Sequence, residues 1–352
     1  MTATDPFLPN GRVRAALFAL AVAGLALMAW ELPSPARALT LYPPLLGLVL
    51  SPLTRLPSDR ALLLWQAANV AMLYGVYVEW RRIYRSIRSG PAPGWLVLTT
   101  VVAIGIPLVT AMQGAQVTVL VLYTMLLGFA FALCGHDPAE WWAAGIVLAI
   151  PAAIHLTPAI AGLAVVLMFL ARDRRRGAML AASFLTGLAL WLFVIPSIVL
   201  GWQRNYQLLT TFARDGLSGL ATRWTAALAL ACAIAILFAA RRLVRGGSAL
   251  ELTVVFGLAC AVALFSTPAA EFTLALPFIG AAPLLLLDRG HPAAARLLAL
   301  ACAAAVVVQL FVATPLLVPA FALCVLAFCL IASSPVRRAA LHRRIPWTVL
   351  AF

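Results

Sequence analysis

The sequence contains no lysine and few carboxylates: its 352 residues carry 25 arginines, 11 aspartates and glutamates together, and four histidines. Charged residues are only 10% of the chain against 64% hydrophobic ones, where a globular domain carries about a quarter. That shortage excludes an ordinary water-soluble domain and, with a mean hydropathy of +1.03, makes lipid the expected solvent. The net charge of +14 does not indicate a nucleic-acid partner, because the arginines recur in short clusters between apolar runs and form no single patch or stripe. An all-arginine basic complement beside abundant alanine and leucine looks like a GC-rich bacterial coding bias and carries no functional information.

Other absences narrow the chemistry. The six cysteines, Cys134, Cys232, Cys260, Cys302, Cys324 and Cys329, all fall inside apolar runs and form no CxxC pair, so they read as structural thiols. There is no HExxH, Walker loop, GxSxG or GxGxxG, which leaves no soluble-type active site and argues against ATP-driven transport by this chain. His136, Asp137 and Glu140 resemble a metal cluster, but Asp137-Pro138-Ala139-Glu140 is better read as a helix N-terminus with proline at the first position and glutamate closing a capping box.

What is present is a series of apolar spans, near residues 13–30, 61–80, 95–112, 116–134, 142–155, 157–171, 178–200, 224–240, 249–266, 270–287, 297–313 and 315–333. Arg12 and Arg14 ahead of the first span, with Ala36-Arg37-Ala38 after it, imitate a cleavable signal, but the run from Val13 to Trp30 has signal-anchor length and is expected to be a helix. The run from Trp141 to Ala171 is flanked by two basic signals and broken by His155-Leu156-Thr157-Pro158. Two short helices are expected to meet there, the second with Thr157 as N-cap and Pro158 at its first position. Alternating the spans from a cytoplasmic start places nineteen arginines inside and six outside, the latter Arg37, Arg55, Arg60, Arg204, Arg214 and Arg223, as the positive-inside rule requires.

Two segments depart from simple spans. Leu41 to Leu53 is apolar, too short to cross, and contains Pro43, Pro44 and Pro52, so a re-entrant or interfacial helix is expected at 41–53. Residues 201–223 mix Trp202, Tyr206 and Phe212 with three arginines, which suits an outer segment lying among lipid headgroups. The expected fold is an all-α integral membrane protein, a single unit over residues 1–352 with about 12 transmembrane helices, in a bacterial inner membrane with both termini cytoplasmic.

This topology gathers Glu31, Tyr42, Gln113, Gln116, His155, Arg204, Arg214, Asp215, Arg223 and Glu271 at the outer boundary. Polar groups at membrane depth are costly and default to functional hypotheses. Each also has a plain structural reading. Glu31 ends a helix, His155 caps one, the glutamines serve helix–helix hydrogen bonds, and the loop arginines and aromatics anchor the chain at the interface.

Several short motifs bear on function. Tyr42-Pro43-Pro44-Leu45 is followed by Pro52-Leu53, Leu64-Trp65 and Asn69; then come Gly114-Ala115-Gln116, Ala144-Gly145 leading to His155-Leu156-Thr157-Pro158 and an arginine cluster, Ser218-Gly219-Leu220 with Arg223, and Leu264-Phe265-Ser266-Thr267-Pro268. In this order they resemble the polytopic GT-C glycosyltransferases of family 87, which include polyprenyl-phosphomannose-dependent mannosyltransferases, with histidine here in the family's usual lysine position. The resemblance implies a GT-C-like bundle and transfer of a mannose- or arabinose-type sugar from a polyprenyl-phosphate donor to a membrane lipid or glycan acceptor at the outer face. It also implies a catalytic aspartate in the first outer loop, but Glu31 to Thr40 contains none. Glu31 is therefore the nominal base, with Asp215 and Glu271 as substitutes. Arg204, Arg214, Arg223 and His155 are the candidate phosphate partners, and Gln113, Gln116 and Tyr42 the candidate pocket residues. A lipid-phosphate leaving group needs no nucleotide, and no metal-ligand cluster is evident on that side, so neither cofactor nor metal is expected. Two rival readings remain open: a non-catalytic scaffold that binds a membrane-protein partner, and a lipid or small-molecule transporter with charges paired at mid-membrane.

Overall fold

The computed structural model describes residues 56–113, 117–154, 158–219, 248–263 and 273–311. Among them the helices are α1 (Ser58–Ile87), α2 (Gly94–Gln113), α3 (Thr118–Cys134), α4 (Pro138–Ile154), α5 (Pro158–Arg172), α6 (Arg174–Ala189), α7 (Ile195–Leu200), α8 (Trp202–Gly219), α9 (Ala249–Ala263), α10 (Leu276–Asp288) and α11 (Pro292–Phe311), with no strand. The expected spans at 13–30, 224–240 and 315–333 and the segment 41–53 lie outside the described residues. Within the remaining nine spans the described residues are helical except Val117.

The helix boundaries follow local chemistry. α1 carries Asp59 in its first turn and Arg85 in its last and stops where Arg88 is extended, a charge placement that opposes the helix dipole. It continues seven residues past the expected end at position 80, so Arg81, Arg82 and Arg85 sit on its last turns and not in a loop. The long apolar run divides as expected, α4 ending at Ile154 and α5 opening with Pro158. α9 opens on a reciprocal capping box: Ser248 Oγ accepts from the Glu251 N–H at 3.3 Å while Glu251 Oε2 accepts from the Ser248 N–H at 3.3 Å.

Among the described residues two helices, Asp59–Ile87 and Arg174–Leu200, are long and apolar enough to cross a membrane by length and composition, and seven shorter apolar helices accompany them. Large apolar side chains face outward around the bundle, with Leu63 72%, Leu185 65% and Ile198 78% exposed. At the centre stands α9, whose residues from Leu252 to Ala263 are all buried, the mark of a helix enclosed on every side. Phe256 of α9 stacks on Phe129 of α3 with centroids 4.0 Å apart, and Gly257 admits the α10 backbone, where a Cβ would lie 2.7 Å from Phe278 Cα.

The closest helix pair is α4 with α6. Gly145 and Ala149 lie one turn apart on α4, facing Ser183 and Gly187 on α6. A Cβ on Gly145 would lie 2.7 Å from the Phe184 nitrogen and 2.8 Å from the Leu180 carbonyl oxygen, and one on Gly187 would lie 2.8 Å from Ala149 Cβ. This is the small-xxx-small device that brings backbones together where lipid supplies no hydrophobic drive between helices. Trp191 Nε1 fastens the same pair by donating to the Ile146 carbonyl at 3.1 Å.

At one end of the bundle, Arg176 in the first turn of α6 closes the C-terminus of α3. Its guanidinium donates to the carbonyls of Ala132 and Gly135, the latter at 3.0 Å, and its Cζ sits 4.8 Å from the ring centroids of both Trp141 and Phe169. Glu140 accepts the His136 N–H at 2.7 Å and faces Arg82 at 3.5 Å, completing the expected cap of α4 and tying it to α1. The His136 amide, ahead of the Asp137 amide and Arg82, holds the Glu140 carboxyl below its ordinary value of 4.5.

Two outcomes test this packing. Gly145→Ala should destabilise the bundle by about 1–3 kcal/mol through overpacking, seen as a lowered thermal midpoint in detergent; an unchanged midpoint would contradict the close contact. Because the folded pKa of Glu140 is depressed, its stabilisation is present above its ordinary value and fades as pH falls through the folded pKa. Wild type should therefore exceed Glu140→Gln in thermal midpoint at neutral pH, and the two should converge well below pH 4.5.

Candidate active site

Short turns reverse the chain between successive helices, which sorts the helix ends into two sets. Arg82, Glu140 and Arg176 meet at one end, joining the C-terminus of α1 to the N-termini of α4 and α6. At the opposite end Gln66 Nε2, two turns into α1, donates to the carbonyl of Met112 in the last turn of α2 at 2.7 Å. By the same alternation the start of α3, the end of α4, the start of α5 and the end of α7 also belong to this second end. The described arginine clusters of α1 and α5–α6 lie at the first end, while Arg204 follows the last residue of α7 at the second.

The expected site residues distribute as follows. Gln113 is the last residue of α2, and Arg204, Arg214 and Asp215 all lie on α8. The Arg204 side chain is exposed. At about 100° per residue the positions of Arg204 and Asp215, eleven apart, fall on one face of α8, and Arg214 lies about 80° from Arg204 in the other sense. Glu31, Tyr42, Gln116, His155, Arg223 and Glu271 lie outside the described residues.

The position of α8 is set by an irregularity in the helix before it. α6 passes into a π turn, Leu190–Val194, before α7. Pro196 has no N–H to give the carbonyl of Leu192, four residues earlier, and the widened turn leaves further carbonyls unpaired. Asn205 of α8 supplies the missing donor. Its Nδ2 lies 3.0 Å from the Leu192 oxygen, 3.5 Å from that of Phe193 and 3.0 Å from Ser197 Oγ. Between the two helices Gly201 takes φ +83°, a left-handed conformation that glycine adopts without steric cost. α8 packs on α7 through the buried Asn205 and leaves Trp202 62% and Tyr206 58% exposed.

Sequence reasoning missed Asn205, because a polar residue in a polar segment gives no signal of a partner thirteen residues back. It also assigned no site role to Gln66, Trp65 and Asn69. A signal existed for Asn69, which interrupts the otherwise apolar buried stripe of Leu62, Trp65, Val76 and Trp80 at helical spacing. Further along that stripe an apolar cavity of about 200 Å³ opens between α1, α2 and α10, walled by Trp80, Tyr84, Leu96 and Gly280, and its lining offers no carboxylate or cation.

These features define, among the described residues, an all-helical protein with an apolar outer surface, an arginine-rich end bound together by helix caps, and an opposite end that carries Gln66, Asn69 and Arg204. Residues 40–268 match glycosyltransferase family 87, and the chain belongs to that family. Over 126 residues, 35% of this chain, it is 33% identical to the polyprenol-phosphate-mannose-dependent alpha-(1-2)-phosphatidylinositol pentamannoside mannosyltransferase of Mycolicibacterium smegmatis, covering 28% of that protein. The mannosyltransferase of the same name from Mycobacterium tuberculosis is 32% identical over 123 residues, 34% of this chain and 26% of its own. The matched segment thus spans only about a quarter of these relatives' length. No solved structure matches the chain significantly.

The Asn205 bridge gives a direct test. Asn205→Leu should leave the Leu192 and Phe193 carbonyls without their donor, at a cost of about 1–3 kcal/mol. Amide exchange should quicken in residues 202–210 while α9 stays protected; unchanged exchange in α8 would show that the bridge does not hold the helix.

Proposed function

We propose that the protein is a multi-pass glycosyltransferase of the bacterial inner membrane that moves a mannose- or arabinose-type sugar from a polyprenyl phosphate to a lipid or glycan acceptor at the outer face. The observation that carries this reading is the family 87 match across residues 40–268, supported by two relatives whose names specify a polyprenol-phosphate-mannose donor. Segregation of the described arginine clusters to one end supports placing that end in the cytoplasm.

In this scheme a carboxylate takes the proton of the acceptor hydroxyl as its oxygen attacks the anomeric carbon. The bond from that carbon to the phosphate oxygen breaks, and the electron pair leaves with the polyprenyl phosphate. Glu31 is the proposed base, with Asp215 and Glu271 as substitutes. Arg204, Arg214, Arg223 and His155 stabilise the departing phosphate, and Gln113, Gln116 and Tyr42 line the pocket. The lipid phosphate is itself the leaving group, so the scheme calls on neither nucleotide nor metal. α8, with Trp202 and Tyr206 exposed beside Arg204, lies at the headgroup level and brings its cations to the phosphate. The absence of aspartate between Glu31 and Thr40 favours one rival, a non-catalytic relative that binds a membrane-protein partner.

A transfer assay in liposomes separates the two. With radiolabelled polyprenyl-phosphate mannose or arabinose and a lipid extract as acceptor, wild type should transfer sugar. One of Glu31→Gln, Asp215→Asn and Glu271→Gln should lower kcat by about 100-fold or more. Folded protein that transfers nothing from either donor, and co-purifies with a stoichiometric membrane protein, would establish the non-catalytic reading instead.

A further inference from the structure

Three side chains in the outer-end half of α1 hold buried polar atoms with no partner. Asn69 is fully buried, and neither its Oδ1 nor its Nδ2 is hydrogen-bonded. Trp65, only 9% exposed, has an unpaired Nε1–H. Gln66 gives its Nε2 to the Met112 carbonyl at 2.7 Å and keeps a buried, unpaired Oε1. The three residues occupy little more than one helical turn, about 6 Å along the axis, and Trp65 and Asn69 are stacked at i and i+4. Each unpaired buried group opposes folding, and an apolar residue of similar shape would suit the bundle better. Packing therefore does not account for these residues, and their free hydrogen-bonding capacity points to a ligand.

The kind of ligand follows from which atoms are free. Trp65 offers one donor, Gln66 one acceptor, and Asn69 two donors and an acceptor. A phosphate only accepts and an ammonium only donates, so neither would satisfy this set, and none of the three side chains carries charge. A hydroxyl both donates and accepts, and neighbouring hydroxyls on a sugar ring present that alternation repeatedly.

We propose that Trp65, Gln66 and Asn69 form a seat for the hydroxyls of a neutral glycosyl group, positioning it at the end of the bundle where α1 meets the last turn of α2. The inference rests on the glycosyltransferase reading and names the residues that recognise sugar, as distinct from those that move the proton or hold phosphate. The seated sugar is either the one on the donor or one on the acceptor, since both present the same hydroxyl chemistry.

The test uses the full chain in nanodiscs, comparing wild type with Asn69→Leu and Trp65→Phe, the second of which removes the indole N–H together with its five-membered ring and keeps a six-membered aromatic ring. Binding of polyprenyl-phosphate mannose and of sugar-free polyprenyl phosphate is measured alongside the KM for acceptor and the thermal midpoint without ligand. A seat for the donor sugar predicts that wild type prefers the mannosylated lipid, and that each variant loses about tenfold of that preference while keeping its affinity for sugar-free lipid. A seat for the acceptor predicts an intact donor preference and an acceptor KM raised about tenfold. In either case the unliganded Asn69→Leu protein should unfold at the same temperature as wild type or higher. Should Asn69→Leu fail to fold, or unfold at a lower temperature without ligand, while Trp65→Phe leaves every binding and kinetic constant unchanged, the residues are structural and the proposal is overturned. If wild type transfers sugar and neither variant differs from it, the seat alone is overturned. If wild type neither binds nor uses any polyprenyl-phosphate sugar, the glycosyltransferase reading falls first and the seat falls with it.

Discussion

The contact between α4 and α6 is the constraint from which much of the described bundle follows. Buried apolar area gives helices little reason to associate when the surrounding solvent is itself hydrocarbon, so association rests on how closely backbones approach. Gly145, Ala149, Ser183 and Gly187 make that approach possible, since each is too small to hold the helices apart. Because the two helices run parallel, α5 must return between them. The start of α6 then lies against the end of α3, where Arg176 closes the open carbonyls. The far end of the same helix, after its π turn, supports α8. A pair of small-residue steps thus fixes both a sealed end and the attachment of the surface helix.

Both ends pair some polar groups within the protein and leave others free. At the arginine-rich end carbonyls accept from Arg176, Glu140 accepts from a backbone amide and faces Arg82, and Arg289 lies 3.9 Å from Glu251, while Arg81 Nε, Arg176 Nε and Arg289 Nη1 are buried without a hydrogen-bond partner. At the other end the polar side chains of α1 retain free capacity, and α8 exposes Trp202, Arg204 and Tyr206.

Much of this organisation was legible in the sequence because it depends on local signals. The division at 155–157 is readable from Thr157-Pro158, since proline at a first helical position starts a helix and cannot sit within one without cost. The cap at Glu140 is readable for the same reason, its partner being only four residues away. The overrun of α1 to Ile87 was not legible, because arginines after an apolar span mark the end of a span but not the end of a helix. Arg176 and Asn205 were illegible as structural residues. Their partners lie 41 to 44 and 8 to 13 residues away, and nothing in composition or spacing records such pairings. The candidate catalytic residues were chosen by topology and by resemblance to the family's motifs, which place residues at an end of the bundle but do not say which of them meet.

The junction at Gly201 has a mechanical consequence. α8 runs eighteen residues from a single glycine, a rod of about 27 Å, and one buried amide anchors it near the pivot. At that length a rotation of about 10° at the junction displaces the far end by about 5 Å. The contacts that hold α8 lie near its start, so a small change of angle at Gly201 is magnified along the length of the helix.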